Sequence, residues 1–153
     1  MRREADAVAH LFPSDWIKQS SATGPMGAYN AGVGRENGAR YDEGKLYLRK
    51  GADKTNSHEL AHRMEEVVPG LRSLVREYLE SRTTGETPVP LGKGYRPSEM
   101  TTKDAFWSEY CGKVYPVHTE IISMGVRGIF FESEKVWKDE DYVHFILGVL
   151  AGK

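Results

Sequence analysis

The stretch Thr55-Asn56-Ser57-His58-Glu59-Leu60-Ala61-His62-Arg63-Met64-Glu65-Glu66-Val67-Val68 carries the clearest structural pattern in the chain. Its apolar residues recur at i, i+4, i+7 and i+8, the spacing of an amphipathic helix: Leu60, Met64, Val67 and Val68. Thr55 or Asn56 stands where an N-cap belongs, and Pro69-Gly70 ends the pattern. The sequence therefore predicts a helix that packs on a core by its apolar stripe.

The same helix contains His58-Glu59-Leu60-Ala61-His62, an H-E-x-x-H pattern. Two histidines one turn apart can bind a single zinc ion, and the glutamate beside them can act on water. At about 100° per residue, His58 and His62 lie roughly 160° and 200° from Leu60. We therefore expect both imidazoles on the face opposite the apolar stripe, as metal ligands rather than as two histidines on a solvated helix surface.

A catalytic zinc needs a third protein ligand from elsewhere in the chain. Glu120 is our choice, because it begins a second predicted helix and is followed at i+3 by Ser123, whose hydroxyl can orient it. His118 is the alternative ligand. Glu65 shares the imidazole face and is expected to be an outer partner of the ligands or a solvated charge.

These ligands predict hydrolysis of a peptide or amide bond with Zn²⁺ as cofactor. Zinc lowers the pKa of bound water to roughly 7 and polarises the substrate carbonyl, while Glu59 accepts a proton and passes it to the leaving amine. The developing oxyanion needs a further donor. Four residues near Glu120 in the sequence are candidates, and the sequence does not decide among them: Tyr110, Tyr115, His118 and Arg127.

Other predicted elements surround this helix. A strand is expected at 45–50, with an edge that an extended peptide could pair with. Helices are expected over 4–12, 71–82 and 120–131, and from Asp139 or Asp141 to Leu150. The segments 19–44 and 83–103 are rich in turn residues and are predicted to be long irregular connections, whereas the aromatic segment 104–118 stays open in type. Together these elements predict one α+β domain over 1–153.

Composition excludes several classes of protein. The net charge of −1 gives no overall attraction to nucleic acid, and no apolar run approaches the ~20 residues that span a bilayer. Cys111 is the single cysteine, so a zinc site built on several thiolates is excluded. The first residues lack the apolar core of a secretory signal, and we expect a cytoplasmic setting.

Four segments together resemble a zincin-like domain of phage and prophage proteins, often attached to or encoded beside minor head or head-morphogenesis proteins. They are Phe12–Trp16, Ser57–Glu65, Tyr110–Tyr115 and Glu120–Gly125. The terminal helix from Asp139 to Leu150 is similar to the same group. The Glu-x-x-Ser run at 120–123 also resembles the third-ligand segment of gluzincin metallopeptidases.

The resemblance implies a small α+β zincin-like fold, with the motif helix packed near a short sheet and zinc bound. It also implies a protein or peptide substrate, a cytoplasmic or virion-associated location, and phage head proteins as partners. The alternative is a non-catalytic zincin-like module that serves as a structural or interaction part of a phage head, and a third is a toxin domain of the same fold. Glu59 favours the enzyme, because a purely structural site does not need an acid beside the ligand pair.

Overall fold

The fold was determined as a computed structural model, which describes residues 2–24, 27–30, 38–42 and 44–153. Its helices are α1 Arg2–Ala9, α2 Ser14–Ala22, α3 Asp53–Val67, α4 Leu71–Arg82, α5 Ile121–Phe131, α6 Ser133–Val136 and α7 Glu140–Leu150. Its strands are β1 Gly27–Asn30, β2 Arg40–Asp42, β3 Lys45–Leu48, β4 Val89–Pro90 and β5 Met100–Thr101. This mixture of helices and two small sheets agrees with the predicted α+β class.

Helix α3 lies at the centre of the fold and packs against α5, α1, α2 and the larger sheet. The predicted apolar stripe does face the core, since Leu60 and Met64 are buried. The predicted N-cap is wrong. The helix begins at Asp53, and the Asn56 side chain instead bonds to the backbone N–H and carbonyl of Arg49, at 2.9 and 2.8 Å. Asn56 thus fastens the end of β3 to the first turn of α3.

The larger sheet has the order β1-β3-β2, with β1 parallel and β2 antiparallel to β3. The predicted strand is confirmed over 45–48, and Leu46 and Leu48 point into the core as their alternation indicates. The expectation that this strand offers a free edge to a peptide is wrong, because β3 is the central strand of the sheet. The edge nearest α3 belongs to β2, which contacts that helix.

The two predicted irregular connections contain regular structure. Segment 19–44 includes the end of α2 and both β1 and β2, while 25–26, 31–37 and 43 lie outside the described residues. Segment 83–103 includes the antiparallel pair β4–β5. The aromatic segment 104–118 holds a 3₁₀ helix, Glu109–Gly112, between turns. The prediction that segments 19–44 and 83–103 are irregular connections is therefore wrong.

The predicted C-terminal helices are confirmed as α5 and α7, and the Asp139 side chain caps α7 by accepting from the Tyr142 N–H. These two helices approach closely at Gly125, where an added Cβ would lie 2.6 Å from the Ile146 side chain. In the described part of the chain, no helix combines the length and apolar character needed to cross a bilayer. The close approach at Gly125 packs α5 tightly against α7.

Candidate metal centre

Three predicted ligands meet at the contact between α3 and α5. The Oε2 atom of Glu120 lies 3.2 Å from His58 Nε2 and 3.3 Å from His62 Nε2. Within the described residues, these three side chains are the group that offers one ligand atom each, all within 4.8 Å of one another. Tetrahedral zinc with bonds of 2.0–2.1 Å separates its ligand atoms by about 3.3 Å, so the observed spacing fits such an ion.

The ligands lie in the floor of a pocket and not on a solvated helix face. His58 is 8% exposed and Glu120 1%, because the start of α5 covers this side of α3. The expectation that the imidazoles face away from the apolar stripe holds in direction, but the opposite face is also buried. Periodicity identifies the face and not what covers it.

Two hydroxyl groups fix the Glu120 carboxylate. Tyr115 donates a hydrogen bond to Oε1 at 2.9 Å, and Ser123 donates one to Oε2 at 2.6 Å. Ser123 therefore lies where the i+3 spacing predicts, one turn into α5. Each carboxylate oxygen thus accepts one of these hydrogen bonds, and Oε2 lies toward the imidazoles.

Electrostatics in the pocket favour a positive charge between the three ligands. Burial by itself would raise the pKa of Glu120, but hydrogen bonds and charge from His58 and His62 outweigh it and hold that pKa well below its ordinary value. Burial lowers the pKa of His62, yet the surrounding carboxylates, Glu120 first, together outweigh burial and raise it. An ionised carboxylate against two imidazoles is the environment that a divalent cation neutralises.

Glu59 lies beside the ligands and faces the same pocket. Its Oε2 accepts a hydrogen bond of 2.9 Å from the backbone N–H of Tyr41 in β2. Burial raises the pKa of Glu59, although the neighbouring histidines and the Tyr41 N–H act in the opposite direction. The pocket has a volume of 240 Å³ and is lined by Tyr41, His58, Glu59, His62, Tyr110, Tyr115, His118 and Glu120.

Three of the four candidate oxyanion donors line this pocket. The Tyr110 ring lies 6.3 Å from the His58 ring, and the His118 ring lies 6.3 Å from the His62 ring. The Tyr115 hydroxyl is already committed to Glu120. The Tyr110 hydroxyl is engaged with Lys113 and Tyr115, so His118 remains as the group that could donate to a substrate oxygen.

Arg127 does not belong to the site. Its Nε pairs with Glu132 at 2.6 Å, and its side chain does not line the pocket. The expectation for Arg127 is therefore wrong. Arg127 is two helical turns past Glu120, and its position lets it reach the far end of α5 instead.

Glu65 lies close to the site, but its carboxylate binds Thr119. It is fully buried, with Oε1 accepting from the Thr119 N–H at 2.9 Å and Oε2 from the Thr119 hydroxyl at 3.3 Å. It is therefore an outer partner of the ligand segment and not a solvated charge. By this contact α3 holds the residue immediately before Glu120.

Sequence reasoning missed Tyr41, Thr119 and Lys113 at or around the pocket. Tyr41 lies in a glycine-rich stretch whose strand is only three residues long, which gives too little alternation to detect. Lys113 forms an isolated antiparallel bridge with Thr101, and Thr119 lies in irregular chain, so no periodicity applies to either residue. The aromatic density of 104–118 was the one available indication that this segment could form the wall of a site.

The donor set fits zinc: two imidazole nitrogens and one carboxylate oxygen leave a fourth position that opens to the pocket. Comparisons of this chain with protein-family models, with curated proteins and with solved structures found no match. The functional argument therefore depends on the geometry of these residues.

Proposed function

We propose that the protein is a zinc-dependent metallopeptidase of zincin-like fold, with His58, His62 and Glu120 as metal ligands and Glu59 as general base. The observation that carries this proposal is the convergence of the three ligand atoms within 4.8 Å in a pocket that Glu59 also lines. A structural metal site closes all its positions with protein ligands, whereas a catalytic site keeps one open. The pocket beside the ligands supports the catalytic type.

Each residue then has a role in hydrolysis. Zinc, when bound, supplies a Lewis acid that polarises the scissile carbonyl and lowers the pKa of water. Glu59 accepts a proton from the attacking water and delivers it to the leaving amine nitrogen. The Tyr41 N–H keeps the Glu59 carboxylate turned into the pocket. His118 is the group placed to donate a hydrogen bond to the developing oxyanion.

Strand β2 supports a peptide as the substrate. It is an edge of the larger sheet, and its Tyr41 main chain reaches the base. An extended chain can add to such an edge through backbone hydrogen bonds. The small pocket volume of 240 Å³ favours one narrow, dedicated substrate over general protein cleavage.

The resemblance of Ser57–Glu65 and Glu120–Gly125 to phage and prophage zincin-like domains supports a phage or prophage origin, with a virion or host protein as the substrate. The alternative is a non-catalytic zincin-like part of a phage head.

Metal analysis and peptide cleavage with matched variants test the proposal. Wild-type protein should bind about one zinc per chain and cleave some member of a quenched peptide library. His58→Ala should lose zinc, while the exposed control His144→Ala on α7 should keep it. Glu59→Gln should keep zinc but lose cleavage by roughly 10²-fold or more, the usual contribution of a general base, unlike the exposed control Glu77→Gln.

Two results would contradict the enzyme. Undiminished zinc binding by His58→Ala would place the ion elsewhere, and undiminished cleavage by Glu59→Gln would remove the base. One zinc per wild-type chain with no cleavage of any peptide would favour the non-catalytic module.

A further inference from the structure

Lys113 is a buried cation next to the candidate metal centre. It is 8% exposed and follows the 3₁₀ helix Glu109–Gly112. Its Nζ pairs with Glu99 Oε1 at 2.7 Å and donates to the Tyr110 hydroxyl at 3.3 Å. Burying an ammonium group is costly unless it is paired, so these contacts hold the side chain in one place.

Tyrosine rings surround this ammonium group. Its Nζ lies 4.7 Å from the ring centroid of Tyr115, 4.9 Å from that of Tyr110 and 6.0 Å from that of Tyr95. A cation within about 6 Å of a ring face attracts the ring, and more strongly when water is excluded. Lys113 therefore packs against the two tyrosines, Tyr110 and Tyr115, that form one wall of the pocket.

One of these tyrosines controls the carboxylate ligand. The Tyr115 hydroxyl donates to Glu120 Oε1 at 2.9 Å, which leaves Oε2 directed at the imidazoles. Tyr110 interacts with both Tyr115 and Lys113. Burial raises the pKa of Tyr110, while its hydrogen bond with Tyr115 and the charge of Lys113 lower that pKa. Contacts thus run from Glu99 through Lys113 and the tyrosines to the metal ligand.

We propose that Lys113 is a positioning residue for the metal centre: it holds Tyr110 and Tyr115 by their rings, and Tyr115 in turn holds the Glu120 carboxylate in its ligating orientation. This inference rests on the proposed function, because it concerns the affinity of the same three ligands for zinc. Lys113 itself does not touch the ligands. Its ion pair with Glu99 also fixes the segment between β4 and β5 against the site.

Zinc affinity, measured by competition with a chromophoric chelator, tests the proposal. Lys113→Met keeps the length of the side chain and removes its charge, and should weaken zinc binding about 10-fold, at the lower end of what outer partners of metal ligands contribute. Lys113→Arg keeps the charge and should recover part of the loss. Lys103→Met is the matched control, since Lys103 forms an exposed ion pair with Glu109 at 3.1 Å, and should bind zinc as wild type does.

A double-mutant cycle separates positioning from a general effect on folding. Tyr115→Phe should also weaken zinc binding, and Lys113→Met added to Tyr115→Phe should cause little further loss, because both act through one hydroxyl. Wild-type affinity in Lys113→Met, or fully additive losses in the double variant, would overturn the proposal. If Lys113→Met fails to fold, Glu99→Gln and Tyr115→Phe are the test pair, and wild-type affinity in both would overturn it. Absence of zinc binding by wild type would instead contradict the proposed function itself, together with the inference built on it.

Discussion

Glu65 joins the two segments that carry the candidate ligands, since it lies one turn after His62 and accepts two hydrogen bonds from Thr119. Glu65→Ala would leave the Thr119 N–H buried without a partner, while the Thr119 hydroxyl keeps its bond from the Ile121 N–H; one such unpaired buried group costs about 1–3 kcal/mol. We expect a loss of unfolding free energy in that range, measured by chemical denaturation, and zinc affinity lowered roughly 10-fold.

Glu65→Gln is the control for this prediction. Its amide oxygen can accept from the Thr119 N–H, and its amide nitrogen can donate to the hydroxyl. The glutamine variant should therefore bind zinc nearly as well as wild type. Equal stability and affinity for Glu65→Ala and wild type would show that the buried pair has no positioning role.

The sequence predicted the local part of the site from helical spacing, and it predicted Glu120 from its Glu-x-x-Ser run at 120–123. His58, Glu59 and His62 are fixed relative to one another by one turn of helix, so a helical wheel places them together. Glu65 and Thr119 are separated in the chain by α4, β4 and β5. Sequence periodicity cannot reveal a contact between residues so far apart. Lys113 was missed for the same reason: its ion-pair partner Glu99 lies on another segment of the chain, before β5.

Two glycines in helices show opposite effects of the surrounding structure. Gly125 in α5 faces Ile146, whose side-chain atoms would lie 2.6 Å from an added Cβ, whereas Gly148 in α7 has open space there. Gly125→Ala should lower the unfolding free energy by about 1–3 kcal/mol through overpacking. Gly148→Ala should raise it by about 0.5–1 kcal/mol, because alanine favours the helix.

Thermal and chemical denaturation of the two glycine variants measure these effects. Stabilisation by Gly125→Ala would mean that α5 and α7 are not in the close contact described. A loss of stability in Gly148→Ala would contradict the open surface at that position.

At the scale of elements, long amphipathic segments were predicted well and short ones were not. Helices α3, α4, α5 and α7 have 11–15 residues each, enough for an apolar stripe to repeat. Strands of two to four residues carry almost no alternation, which is why four of the five were missed. Glycine has a low helix propensity, and the packing of Gly125 against α7 explains why a glycine lies within α5.

Zinc binding should stabilise the whole molecule, because the ligand set exists only when α3 and α5 are packed together. At a free zinc concentration 100-fold above the dissociation constant, the unfolding free energy should rise by ~2.7 kcal/mol. For a domain of this size that corresponds to roughly 5–10 °C in melting temperature. Differential scanning calorimetry with zinc, and again after adding a chelator, measures the shift. His58→Ala should show none, and a shift equal to that of wild type would contradict the assigned site.

Acid should destabilise the molecule partly through Glu132, which pairs with Arg127 at 2.6 Å and with Lys54 at 3.0 Å. Burial raises the pKa of Glu132, but these two cations outweigh it and lower the pKa from 4.5 to about 2. The folded pKa is below the unfolded one, so this stabilisation is complete above pH 4.5 and is lost as pH falls toward 2.

Glu132→Gln should therefore lower stability at neutral pH and flatten its decline between pH 4.5 and 2, as followed by urea denaturation at each pH. Glu134→Gln, an exposed neighbour on α6, is the control and should follow the wild-type curve. An unchanged curve for Glu132→Gln would show that the contacts joining α3 to the end of α5 contribute nothing.

The ligands come from two portions of the chain that are separated by a stretch of exposed residues at 84–88 and 92–98. A protease that cut within this stretch would leave the imidazoles in one fragment and the carboxylate in the other. Neither piece alone would carry the full set of donors, so metal capture by the cut protein would report directly on whether its halves stay associated. The exposed residues at 84–88 and 92–98 are therefore a natural place to divide the protein for a complementation assay, in which zinc would bring the two fragments together.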